Sequence, residues 1–308
     1  MKIRGLAPVN SWRRDFQINW SVYLLFVPIL AYFIIFSYIP MFGIVMAFQD
    51  FKATKGFFHS DFVGFQNFIS FFTNPSFPQI LRNTLVISFL GLCIGFPLTI
   101  VFALLLNEIK ITVFKKSVQT ISYLPYFVSA VVICGLIIEF VSTNGAVTNL
   151  LHTFGFPKTN LLQNAKYFWG INLVSDIWQG LGYGSIIFIA AMTNVSQELH
   201  EAAAIDGANR LQRVRHIIIP ALVPIIMTML ILRIGMIMNV GFDKILLLYN
   251  GSNMETADVI STHVTRMGIE RMQYGYSAAV GLFNSVVGTV LLMVSNFLSK
   301  KYAETALF

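Results

Sequence analysis

A stripe of polar side chains runs through one of the most apolar parts of this sequence. Asn172, Asp176, Gln179, Gly180 and Tyr183 recur every three or four residues, so a helix would bring them to one face. Amides and charges are expensive inside a bilayer, and they turn toward a bundle interior or a water-filled cavity. Asp176 and Gln179 are able to exchange hydrogen bonds with a polar solute, and Trp178 and Tyr183 offer flat apolar faces for stacking. The stripe is read as lining a path, ahead of a polar helix–helix contact with an interfacial tryptophan. Arg233 is the one basic residue deep in an apolar block. It either ties to Asp176 or faces the path and meets an anionic group such as a uronate. The tie is preferred, because an unpaired buried arginine is costly. Asn239 and Asp243 are further candidates near the outer end of the same block, and Glu139 is read as solvated.

Other chemistries find little support. The five histidines show no paired spacing, and Cys93 and Cys134 lie in apolar blocks without metal-ligand or redox spacing, so no metal site is inferred. Met227, Met229, Met236 and Met238 read as adaptable packing. The sequence has no Gly-rich phosphate loop ending in Gly-Lys-Ser/Thr, so it supplies no ATP site of that type.

The elements that must position these residues are membrane helices. Of 308 residues, 56% are hydrophobic and 11% charged, too few charges to cover a soluble surface. The apolar residues fall in blocks long enough to span a bilayer as helices that satisfy their own backbone hydrogen bonds. Six spans are predicted: Trp20–Phe48, Asn83–Leu106, Val118–Phe140, Ile171–Met192, Ile217–Val240 and Ala278–Leu298. The first carries Pro28 and Pro40, and glycines 180, 182 and 184 interrupt the fourth. No small-residue cleavage site follows the first block, so it reads as a span and not a signal peptide.

The net charge of +7 suits topology better than nucleic acid, because the basic residues sit between the blocks. Lys2, Arg4, Arg13, Arg14, Lys110, Lys115, Lys116, Arg210, Arg213, Arg215, Lys300 and Lys301 fall on one side, close to span ends. Both termini are therefore expected in the cytoplasm. Lys244 is assigned to the opposite side. The division is residues 1–19 as an N-terminal segment with an interfacial stretch at Ser11–Gln17, 20–300 as the six-helix domain and 301–308 as a tail. The aromatic-rich connection after the first span is expected to form helices lying on the bilayer surface. Gly91 and Gly95 are expected to allow close helix approach, and Ser277, Gly281, Asn284, Ser285 and Gly288 to form a stripe facing protein.

One connection, residues 193–216, is more than a hairpin. In "SQELHEAAAIDGANRLQRVRHIIIPALVP", Glu198–Ile205 is helix-forming, Gly207 breaks it, and Arg210–His216 forms a second, basic helix turning into the fifth span at Pro220. Ala202, Ala203 and Ile205 have no lipid to bury in, which implies a docking partner.

The pattern Glu201-Ala202-Ala203, three residues, Gly207, nine residues, then Ile217, Ile219 and Pro220 resembles the signature of the permease subunits of binding-protein-dependent ABC importers. The departure is Ile219 where the family has leucine. "YIPMFGIVMAFQDF", "RNTLVIS", "FPLTIVFALLLNEI" and "VQTISYLPYFVSAVV" resemble the carbohydrate-importing branch, specifically permeases for oligosaccharide or polysaccharide-derived substrates in Gram-positive bacteria. The resemblance covers nearly the whole chain.

It implies an all-α, six-helix permease core in a bacterial cytoplasmic membrane, paired with a second homologous permease. It also implies two ATPase subunits carrying ATP and Mg, an extracellular solute-binding protein, and alternating access for a sugar. The loop between spans four and five would be the coupling helix, formed by Glu201, Ala202, Ala203, Asp206, Gly207, Arg210 and Pro220. Such a chain is a transport subunit and not an enzyme, with no cofactor of its own. The competing class is an ion-coupled secondary transporter or channel, which would show inverted repeats and helices broken at the midplane. An intramembrane enzyme would need clustered histidines or carboxylates within spans.

Overall fold

A computed structural model describes residues 12–303, and the first eleven and last five residues lie outside it. Most of the expected N-terminal segment and tail therefore fall outside the described residues. The fold is all-α apart from a two-residue antiparallel ribbon, Gln49–Asp50 against Asp61–Phe62. Among the described residues, five helices are long and apolar enough to cross a membrane, and a bent pair makes a sixth span.

In chain order, α1 is Ile18–Phe48, continuous with a turn that begins at Trp12 and kinks at Asn19, where Asp15 accepts hydrogen bonds from Asn19 and Tyr23. Helix α2 is Phe77–Glu108. Helices α3 (Thr112–Phe127) and α4 (Ala130–Phe140) meet at 101° where one straight third span was expected. The reason is local: Pro125 cannot continue the hydrogen-bond ladder, Val128 and Ser129 are extended, and the Ser129 hydroxyl caps α4 through the Val132 N–H.

Helix α5, Ala165–Met192, is unbroken over 28 residues, so its glycines do not interrupt it. One of them seats it: a Cβ on Gly182 would lie 2.1 Å from the Ser122 carbonyl oxygen of α3. Gly91 and Gly95 form a π-helical turn inside α2 and make no comparably close approach to another helix.

Helix α6 is Gln197–Ile205, and α7 is Arg210–Gly235. The basic helix and the fifth span are thus one helical run, with a π-turn at Val214–Ile218 just before Pro220. The run stops at Gly235, five residues short of the expected Val240. Short helices α8 (Phe242–Leu248) and α9 (Ile260–Thr265) fold back onto the bundle before α10, Tyr274–Lys301.

Three apolar cores hold these pieces. One, at the end carrying α6, joins Phe96, Phe188, Ile218 and Leu222. A second joins Ile87, Ile133, Ile137, Phe168, Ile245 and Leu248, so α8 is packed into the bundle. The third joins Phe71, Ile80, Ile260, Tyr276 and Val280. The helix Gln66–Phe72 therefore buries Phe71 against α10, instead of resting only on a bilayer surface. In the last span Ser277 and Gly288 are buried and Asn284 is half-buried, but Ser285 is exposed. Cys134 is buried and Cys93 exposed, both free thiols.

Candidate functional site

The first candidate region is the α6–α7 turn. Ser196 caps α6, its hydroxyl accepting from the Glu198 N–H, and Glu198 places negative charge at the positive helix end. The other end closes by a Schellman pair: Ala208 N–H to Ala203 C=O at 2.8 Å and Gly207 N–H to Ala204 C=O at 3.2 Å. That closure needs a left-handed residue, and Gly207 has φ +74°. Asn209 and Gln212 then bond reciprocally at 2.8 and 2.9 Å, starting α7 within two residues.

The turn is fixed by its own backbone, while its apolar side chains lie open. Ile205 is 87% and Leu211 76% exposed, and Glu201, Ala202, Asp206 and Arg210 are exposed beside them. A crook of about 320 Å³ opens between Ala203, Gly207, Gln212 and His216. A rigid, charged turn with bare apolar tips is built to receive another surface.

The second region is a hollow of about 330 Å³ at the level where α7 ends, lined by α2, α5 and the irregular backbone after Gly235. It brings together Asp176, Arg233 and Asn239, which the sequence places far apart. Non-helical backbone at membrane depth is tolerated where it lines a cavity or is buried in protein.

The ion partner of Asp176 is Lys244, not Arg233. Lys244 on α8 is buried, its side chain 8% exposed, while Asp176 stays 50% exposed. Its ammonium has three donors and finds three acceptors on α5: the Asp176 carboxylate, the Ser175 hydroxyl at 2.9 Å and the Asn172 carbonyl at 3.4 Å. The Asn172 amide donates to the other Asp176 oxygen at 2.8 Å. A buried ammonium is tolerable on these terms, and α8 is fastened to α5.

Arg233 sits in the last turn of α7, with its guanidinium 5.5 Å from the centre of the Phe96 ring. Asn239 accepts a hydrogen bond from Asn284 at 2.8 Å, joining the broken segment to α10.

The rest of the stripe divides. Gln179 and Gly180 are half-buried, with open space where a Cβ on Gly180 would lie. Tyr183 stacks on Tyr126 with ring centres 3.8 Å apart and nearly parallel planes. Trp178 lies on another side of α5 and lines a separate apolar hollow of about 560 Å³ with Val174, Ile137 and Phe140. Glu139 and Asp243 are exposed.

Sequence reasoning missed Lys244, Phe96 and Tyr126. The signal for Lys244 was a lone charge followed by the apolar run Ile245–Leu248; for the aromatics no sequence signal points to these contacts.

Comparisons with other proteins agree with this architecture. The chain is 40% identical to Protein LplB of Bacillus subtilis over 306 residues, 99% of this chain and 95% of that one. It is 42% identical over 288 residues to the polygalacturonan/rhamnogalacturonan transport system permease protein YteP of the same organism, 93% of this chain and 90% of that one. A chain of a bacterial alginate ABC transporter, crystallised with an alginate pentasaccharide-bound periplasmic protein, superposes with a TM-score of 0.88 at 37% identity, covering 96% of this chain and 99% of that chain. Breaks such as those after α3 and α7 are features expected of ion-coupled transporters, yet the family match lies elsewhere. The model for binding-protein-dependent transport system inner membrane components matches residues 95–304, and the chain belongs to that family.

Proposed function

We propose that this chain is one of two related permeases that together enclose the path of a saccharide, with ATPase subunits docked on the α6–α7 turn. The observation that carries this reading is the turn itself: a backbone-locked projection whose Ile205 and Leu211 are bare. Glu201, Asp206 and Arg210 would make polar contacts on the ATPase, Ala202 and Ala203 would pack, Gly207 would hold the turn, and Pro220 would set the entry into the span.

Helix α7 runs without interruption of its helical path from Arg210 to Gly235, about 39 Å at 1.5 Å per residue. A displacement of the turn is therefore carried along one rod to the hollow containing Arg233. ATP-driven closure of the ATPase pair would draw two such turns together and rock the hollow between inward and outward access. In this reading ATP and Mg belong to the ATPase subunits, both termini are cytoplasmic, and a binding protein delivers the solute at the far end.

The permeases named for polygalacturonan/rhamnogalacturonan and alginate support a saccharide substrate. The first span supports a second permease: none of its most apolar window is buried within this chain, so a partner helix has room to pack on it.

The test is co-purification with co-expressed ATPase and partner permease, followed by ATPase assays with and without saccharide-loaded binding protein. Wild type should bind the ATPase and be stimulated, while Glu201→Ala and Gly207→Pro insert normally but lose both. A chain that purifies alone and moves solute down an ion gradient in liposomes would overturn the reading.

A further inference from the structure

The charges around the hollow do not balance. Asp176 and Arg233 are the charged residues that line it. Asp176 is already neutralised from behind by the buried Lys244, and Asn172 occupies its second oxygen. Among the described residues no carboxylate lies within ion-pairing distance of the Arg233 guanidinium; its contact is the face of Phe96. One negative and two positive charges leave a net positive charge, and Arg233 is the group that presents it to the cavity.

The neighbouring polar group adds donors of the same kind. Asn239 lines the hollow with its carbonyl oxygen already taken by Asn284, so its amide N–H groups are the part of the side chain left to donate. A guanidinium with five N–H donors beside a donating amide, in a cavity walled by Met229, Leu232 and Val240, favours an anion. Low-dielectric walls strengthen that preference.

From this we infer that Arg233 is the specificity-determining residue of the path, holding the carboxylate of an acidic saccharide such as a uronate-bearing oligosaccharide. This rests on the permease reading and names the substrate class for it. Lys244 has the complementary part: by cancelling Asp176, it removes the anion that would otherwise capture Arg233 and repel the solute.

The experiment uses the assembled transporter in liposomes with a binding protein loaded with a uronate-bearing oligosaccharide. Uptake, stimulated ATPase activity and thermal stability are measured for wild type, Arg233→Gln and Arg233→Lys. Expected is a fall in uptake of at least about tenfold for the glutamine variant, the loss of one charge-assisted contact, with assembly and stability unchanged. The lysine variant should keep most of the uptake. Normal uptake by R233Q overturns the proposal. Equal loss in both variants together with lower stability also overturns it, since the guanidinium would then serve its packing on Phe96. Wild type without binding-protein-stimulated ATPase activity would instead sink the permease reading, and is seen separately.

Discussion

The α6–α7 turn and the hollow at the far end of α7 are made in opposite ways. Every bond that shapes the turn joins residues no more than five apart: Ala203 to Ala208, Ala204 to Gly207, Asn209 to Gln212. The hollow is shaped by residues that are distant in sequence, with Asp176 and Lys244 sixty-eight positions apart and Ser88 bonded to the Ile237 carbonyl across 149. A locally closed turn can move as one piece without losing shape. A cavity assembled from three helices and a stretch of broken helix changes shape when any of them shifts. The design puts rigidity where force would enter and adjustable geometry where a solute would pass.

The sharpest way to break this contrast is at Lys244. Replacing its partner Asp176 with asparagine strands the buried ammonium without its counter-charge, so destabilisation of roughly 3–5 kcal/mol is expected. Thermal unfolding of the purified protein should show a large drop in Tm, while the double variant Lys244→Met with Asp176→Asn recovers most of it, because no buried charge is then stranded. If the double variant is as unstable as the single one, the ammonium's role is packing and not charge. The overpacked variant Gly182→Val should come next. Its Cβ would overlap the Ser122 carbonyl, and a loss of about 1–3 kcal/mol is expected, read by the same unfolding measurement. Wild-type stability would mean that α3 yields freely against α5.

Legibility followed the same division. The turn could be read residue by residue because helix formers, Gly207 and the basic run act over one or two turns. The spans α2, α5 and α10 were legible to within six residues at each end from their apolar blocks. Two boundaries were not. The sequence from Met236 to Val240 stays largely apolar after the helix has ended, and hydropathy does not distinguish a continued helix from irregular backbone sheltered in protein. Pro125 sits in an equally apolar block, and only its missing donor marks the 101° bend. The stripe on α5 correctly placed Asn172 and Asp176 on one face, but periodicity carries no information about what comes to face them. Lys244 was assigned to a solvated connection because its partners are on a helix far back in the chain.

A smaller effect sharpens the comparison at the turn. With φ +74°, Gly207→Ala costs about 1–2 kcal/mol locally, since an L side chain is strained there. Because nothing else in the bundle depends on that closure, global unfolding should barely change, whereas binding-protein-stimulated ATPase activity falls. Gly207→Asn should retain more activity than alanine, as asparagine tolerates the left-handed region. If alanine lowers Tm as much as Asp176→Asn does, the turn is not an independent unit.

The smallest effect concerns the buried network between α9 and α10, a third region that is closed like the turn but assembled from separate elements. Asp258 accepts both guanidinium nitrogens of Arg266 and the Thr262 hydroxyl. His263 lies against Arg266 at 3.3 Å and the Tyr276 hydroxyl at 3.0 Å. An arginine donates only, so the imidazole nitrogen facing it must accept, which fixes the neutral ring with its proton toward Tyr276. Burial holds the His263 pKa below its ordinary value, opposed by the nearby Asp258 carboxylate and reinforced by Arg266 and Arg271. A depressed histidine pKa means that the unfolded chain takes up the proton first. The stability from the neutral ring is therefore complete above the ordinary histidine value near 6.5 and is lost as pH falls from there toward the folded value. Wild type should lose stability, read as a falling Tm, between about pH 7.5 and about pH 5.5, with a slope from this one proton of at most about 1.4 kcal/mol per pH unit. His263→Gln should flatten that slope whatever it does to stability at neutral pH. An unchanged slope in the variant would place the acid sensitivity elsewhere.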